Sequence, residues 1–138
     1  MDHNEFFQIG QQVLASQAFS RLVGAKLTKF KSGEAELEIP IKENLLQQHE
    51  FVHGGVLSYA ADNVLTFVGG SVLGLKVLTS EYKINYLRPA VGEKLIARGS
   101  LIYASKRQAV CRCDVFIQDS EGNEKICATA QGTIISTA

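Results

Sequence analysis

A chain of 138 residues with 46% hydrophobic and 20% charged side chains has the composition of an ordinary globular protein, long enough to bury about two thirds of its unfolded surface. Fourteen Lys and Arg balance fourteen Asp and Glu, so no net field draws it to nucleic acid or to an anionic membrane. The opening "MDHNEFFQIG" has neither the basic start nor the apolar stretch of a secretory leader, and the long apolar runs are broken by glycines or polar groups; a cytoplasmic protein without a membrane span is expected.

In chain order, the helical spacing of Phe6, Phe7, Val13 and Leu14 predicts an amphipathic helix over 4–19. Leu22 to Phe30 reads as a first strand and "KSG", Lys31 to Gly33, as a turn. The next segment alternates, with Ala35, Leu37, Ile39 and Ile41 on one side and Glu34, Glu36 and Glu38 on the other, the pattern of a half-buried antiparallel strand. Helical character returns from Gly55 to about Val72. Strands are expected over roughly 76–88, 93–104, 108–119 and 124–136, separated by "RPAVGE", "ASKR" and "DSEGNE". Cys111 and Cys113, two apart on a strand, share an apolar face with Val115 and Ile117; with Cys127 they read as core thiols, and neither a disulfide framework nor a metal site is expected.

Runs of strands with segregated helices imply an α+β domain with an antiparallel sheet, here one domain over 1–138. Val56, Leu57, Ala60, Ala61, Val64, Leu65 and Val68 cover well over half of the middle helix, so it should be buried inside a sheet that curls around it. One charge stands in that stretch. Between Glu50 and Lys76 the only Asp, Glu, Lys or Arg is Asp62.

The layout, with "HGGVLSYAAD" (His53 to Asp62) and "INYLRPAVGE" (Ile84 to Glu93), resembles the hotdog-fold acyl-CoA thioesterases of the phenylacetate-degradation type, over nearly the whole chain. The resemblance implies a sheet of about six antiparallel strands around a long helix. It also implies hydrolysis of an acyl-CoA, with coenzyme A as part of the substrate and no separate cofactor. A non-catalytic acyl-thioester binding protein of the same fold is the alternative. A dehydratase would want a catalytic His with an acidic partner placed differently.

Thioester hydrolysis needs a water or carboxylate aimed at the carbonyl carbon and donors aimed at the developing oxyanion. Gly54 and Gly55 open a helix, where backbone N–H groups lack intrahelical acceptors, and without Cβ atoms they let a substrate approach. The resemblance implies that Gly54 N–H polarises the thioester oxygen and that Asp62 is the general base or nucleophile. In similar enzymes the acid works with the glycine turn of a neighbouring subunit, which makes a homo-oligomer, a dimer or dimer of dimers, an expectation. Asp62 could instead be a satisfied polar group bonded to Ser58, Thr66 or a backbone donor.

Thr79 matches a Ser/Thr position that orients the attacking water, and Ser80 beside it joins the substrate-binding candidates. Gln47 stands where an asparagine is frequent and His49 matches a histidine of some relatives, but Glu50 replaces a usual glycine. His53 is expected to organise the helix start. Arg88, Lys106 and Arg107 are candidates for phosphate contacts at the pocket rim.

Overall fold

The Asp2 carboxylate accepts the Glu5 N–H at 2.8 Å and so caps the first helix, α1 (His3–Ser16). In the computed structural model, which describes residues 2–138, that helix does not run on to residue 19. Gln17 takes an extended conformation and a second short helix, α2 (Ala18–Val23), follows. The expected first strand is shortened for the same reason. Leu22 lies in α2, Gly24 ends it in the left-handed region at φ +88°, and β1 runs only over Lys26–Lys31.

After β1 come β2 (Glu34–Pro40), a single 3-10 turn (Glu43–Leu45) and the long helix α3 (Gly54–Leu73). Four strands complete the chain: β3 (Val77–Tyr86), β4 (Lys94–Ala104), β5 (Gln108–Gln118) and β6 (Glu124–Ser136). They form one sheet in the order β1-β2-β4-β5-β6-β3, with every neighbouring pair antiparallel. The expected α+β architecture is therefore the observed one.

Burial explains the curl of the sheet. Helix α3 touches all six strands, and Ala60, Ala61, Val64, Leu65 and Val68 along it are fully buried. Its length and apolar composition would suit a membrane span, but here those sides face the concave side of the sheet. The other sheet face carries the glutamates expected from the alternation. Glu38 pairs with Lys94 at 2.8 Å, and Arg98 bridges Glu36 and Glu124 while lying 5.0 Å from the Phe116 ring centroid. Cys111, Cys113 and Cys127 all sit in the core.

Two details place the functional side chains. Phe30 of β1 is stacked on Phe6 of α1 (centroids 4.5 Å apart) and meets Phe67 of α3 edge-on at 5.4 Å, which ties α1 over the C-terminal half of α3. Strand β3 is an edge strand, and its register on β6 shifts between Thr79 and Glu81. Ser80 is the extra residue of this bulge. As a result Thr79 pairs with Ile134 and Tyr82 with Gly132, so two residues three apart in sequence face the same side, toward α3.

Candidate active site

One row of α3 side chains faces β3. At four-residue intervals Gly54, Ser58, Asp62, Thr66 and Gly70 lie along one stripe of the helix. Tyr86 OH donates to Gly54 O at 3.3 Å, Ser58 Oγ hydrogen-bonds Tyr82 OH, and Thr79 Oγ1 donates to Asp62 Oδ1 at 2.7 Å. Thr66 Oγ1 lies 3.0 Å from Thr79 Oγ1 and 2.9 Å from Asp62 O. A Cβ on Gly70 would meet Val77. The seam is glycine at both ends and polar in the middle.

Asp62 is half-buried at its centre. Neither Ser58 nor Thr66 satisfies its carboxylate; the donor is Thr79, on the strand. The hydroxyl of Thr66 goes instead to the Asp62 main-chain oxygen. Among the described residues no second donor bonds the carboxylate, so one oxygen is held and the other is left without a hydrogen-bond partner. Thr79 reaches it because the Ser80 bulge turns it inward; Ser80 itself is exposed.

At the start of α3 the two glycine N–H groups have different fates. His53 Nδ1 accepts the Gly55 N–H at 2.8 Å, and His53 O accepts the Val56 N–H at 2.9 Å. His53 thus organises the helix start as expected, and Gly55 is removed as an oxyanion donor. The Gly54 N–H has no acceptor among the described residues and sits at the positive end of the helix dipole. Gly54 opens onto a groove of about 410 Å³ whose walls include Gln47, Phe51, Tyr86 and Arg88. What the turn and the seam offer together is one free donor and one carboxylate, the two parts that acyl transfer from a thioester needs.

The sequence profile of the thioesterase superfamily matches residues 49–123, more than half of the chain, with Gly54, Asp62 and Thr79 inside the match. The chain belongs to the thioesterase superfamily. Thioester hydrolysis is accordingly its class of activity. Its fold superposes on a thioesterase family protein from Silicibacter pomeroyi with a TM-score of 0.89 at 28% identity, covering 95% of this chain and 97% of that one. The PaaI protein of the Escherichia coli phenylacetic acid degradation operon shares the fold with a TM-score of 0.85 at 19% identity, covering 99% and 96%. In sequence the chain is 24% identical over 124 residues to the medium/long-chain acyl-CoA thioesterase YigI of Escherichia coli K12, covering 78% of this chain and 80% of YigI. The hotdog architecture implied by the sequence is thus the architecture of these thioesterases.

Other site residues of this thioesterase are placed as follows. Gln47 borders the groove, but its side-chain oxygen accepts the His49 N–H, which leaves its amide nitrogen as the group to offer. His49 is exposed. Glu50, where the resemblance leads one to expect a glycine, adopts φ +67°, the left-handed conformation that glycine favours. A non-glycine residue thus carries the strain of this turn. Arg88 lies in the groove beside Gly54, whereas Lys106 and Arg107 turn the β4–β5 hairpin next to Ser136, whose strand partner is Val77. The two basic groups therefore sit at opposite ends of β3 within one protomer.

A second polar cluster was not read from the sequence. Ser20 Oγ donates to Gln17 Oε1, Tyr59 OH bonds Ser20 Oγ, and Asn63 Nδ2 donates to Tyr59 OH at 2.9 Å and to Gln17 Oε1 at 3.3 Å. Ser20 is 1% exposed, and burial pushes the Tyr59 phenol above its ordinary pKa range. The ring locks the α1–α2 junction onto α3 at the residue next to Asp62. Its signal is Tyr59 and Asn63, two polar groups one turn apart on the helix and off the stripe of Ser58, Asp62 and Thr66.

Proposed function

We propose that this thioesterase hydrolyses acyl-CoA to free acid and coenzyme A, using Asp62 of one protomer and the Gly54 N–H of its partner on the same carbonyl. The observation that carries the reading is the spacing of the two groups. They are eight residues apart on one straight helix, about 12 Å along its axis, whereas both must lie about 3 Å from one reacting centre. A second copy, related by a two-fold axis, supplies the missing half twice over: residue 62 of each chain meets residue 54 of the other. The exposed edge of β3, which carries Thr79, is the natural place for that copy to approach.

Asp62 takes a proton from a water held against its free oxygen, and the hydroxide adds to the thioester carbonyl carbon. The carbonyl oxygen becomes an oxyanion that accepts the Gly54 N–H. Collapse of this intermediate breaks the carbon–sulfur bond, and the departing thiolate takes up the proton. Thr79 is a positioning residue: its single hydroxyl proton is committed to Asp62 Oδ1, so it aims the carboxylate and leaves the other oxygen to face the water. Gln47 and Arg88, beside Gly54, are placed to meet the polar carrier end, Arg88 through a phosphate. Coenzyme A as carrier is supported by the similarity to YigI.

The test is thiol release from a panel of acyl-CoAs by wild type and Asp62→Asn. Turnover by wild type that falls about 10²–10⁴-fold in the variant, with fold retained, is the expected result. Equal turnover in the two proteins would remove Asp62 from the mechanism.

A further inference from the structure

Beyond Asp62 the seam runs into an apolar cavity that the hydrolytic step does not use. It is partly open to solvent, has a volume of about 140 Å³, lies between α1, α3 and the start of β3, and is walled mainly by Val13, Phe30, Phe67, Gly70 and Val77, with Thr66 and Gln17 at its edge. Thr66 is also the residue that bonds the Asp62 main chain and touches Thr79, so cavity and carboxylate share a wall. We propose that this cavity is the acyl subsite of the same protomer's Asp62 and that it selects compact apolar acyl groups, about six carbons of chain or one aromatic ring. The proposal rests on Asp62 being the catalytic carboxylate.

Direction follows from polarity. From a carbonyl beside Asp62, an acyl group can extend along the seam either way. Toward Gly54 it meets the Ser58 and Tyr82 hydroxyls, which bond each other and would lose that bond to a hydrocarbon. Toward Gly70 it passes the Thr66 and Thr79 hydroxyls, whose protons are already given to Asp62 and stay there, and then meets Val77, which faces inward like Thr79, and the aromatic rings. Gly70 presents no side chain, and that bare position is what keeps the way open.

Size follows from the end wall. A dry cavity of about 150 Å³ lined by aliphatic and aromatic side chains takes up benzene, so 140 Å³ matches one ring or a chain of similar bulk. The wall has little room to recede. Phe30 is held between Phe6, stacked on it, and Phe67, edge-on to it, and the position of a Cβ on Gly10 lies 2.4 Å from Phe30 Cδ2, so α1 rests directly on the ring. Each added methylene should improve binding about fourfold until the cavity is full, after which the end wall excludes a longer chain and the gain is lost again.

Gly70 gives the decisive variants. A Cβ built there meets only Val77 Cγ2, at 3.5 Å, an ordinary contact. Gly70→Ala and Gly70→Val therefore have room in the fold while taking space from the acyl group, and alanine also favours the helix over glycine. The experiment is kcat/KM for butyryl-, hexanoyl-, benzoyl-, decanoyl- and palmitoyl-CoA with wild type, both Gly70 variants, Val13→Ala and Asp62→Asn. Wild type should favour hexanoyl and benzoyl over butyryl and palmitoyl by about tenfold. Gly70→Val should lower the hexanoyl-to-butyryl ratio about tenfold, Gly70→Ala less, and Val13→Ala should move the optimum to longer chains. A wild-type preference for palmitoyl, or a ratio unmoved in Gly70→Val with Asp62→Asn inactive, overturns the subsite alone. Turnover retained in Asp62→Asn overturns the catalytic reading instead. Calorimetric binding of the butyl and hexyl thioethers of coenzyme A to wild type and Gly70→Val reads the same ratio without turnover, and equal ratios there also overturn the subsite.

Discussion

Thr79 on the edge strand donates its hydroxyl proton to Asp62 Oδ1 on the central helix at 2.7 Å, and no other side chain among the described residues restrains that carboxylate. Thr79→Ala leaves Asp62 in place but free to rotate. We expect kcat to fall about tenfold with KM little changed, because the loss is in aiming the base rather than in holding the substrate. Thr79→Ser, which keeps the donor, should restore most of the rate. Adding Thr79→Ala to Asp62→Asn should cost almost nothing further, and steady-state kinetics on the four proteins would expose an independent role for Thr79 if the losses multiplied.

The proposed division of the site between two chains makes a sharper demand. Gly54→Val fills the approach to the free N–H, and Asp62→Asn removes the base, so each homodimer should be inactive. A hybrid dimer holds one intact pair, Gly54 from the Asp62→Asn chain and Asp62 from the Gly54→Val chain. Random assortment makes about half of the dimers hybrids with one working site of two, so co-folded mixtures should recover about a quarter of wild-type activity. Recovery near zero from a verified hybrid would place both groups in one chain.

Much of this was legible before any coordinates. The clean alternation over 34–41 and the near-complete apolar girth of 56–68 produce the strand β2 and the buried helix α3 as read, because burial on one face or on all sides leaves a direct pattern in sequence. Asp62 stands out because it is the one charge between Glu50 and Lys76 and follows a His-Gly-Gly turn at a helix start. What was not legible depends on contacts between distant segments. The bulge at Ser80 follows from pairing with β6, and without it Thr79 would face outward. The break at Gln17 places its amide against Ser20, three residues on, and against Asn63, 46 residues away in sequence, and the second contact leaves no local signal. Gly55 looked equivalent to Gly54 until the His53 imidazole was seen to occupy its N–H.

The ring of Gln17, Ser20, Tyr59 and Asn63 predicts a stability effect apart from catalysis. Tyr59→Phe removes the hydroxyl that accepts from Asn63 and bonds Ser20, which is almost wholly buried. The groups left behind lose partners they cannot replace with water, so urea denaturation should show a loss of about 1–3 kcal/mol. Because Asn63 adjoins Asp62, a modest fall in kcat should accompany it. A variant as stable as wild type would mean that the ring is satisfied by solvent in solution.

The three core thiols set the alkaline limit of the fold. Burial pushes both Cys111 and Cys127 up to about 11 from an ordinary value of 9.0, and Cys113 is raised further by burial and by the neighbouring Asp114 charge. Below pH 9 the thiols are protonated in both states, and their burial as neutral groups is undisturbed. Above it the unfolded chain releases these protons first, so it binds fewer protons than the native state and stability falls as pH rises toward 11. The loss should reach about 1–3 kcal/mol per thiol. Denaturation midpoints at pH 8, 9, 10 and 11 should therefore decline, and replacing Cys127 by Ala should flatten the slope even though it costs packing at neutral pH. In the native protein at pH 8 the thiols should resist a thiol reagent that labels all three once urea unfolds the chain.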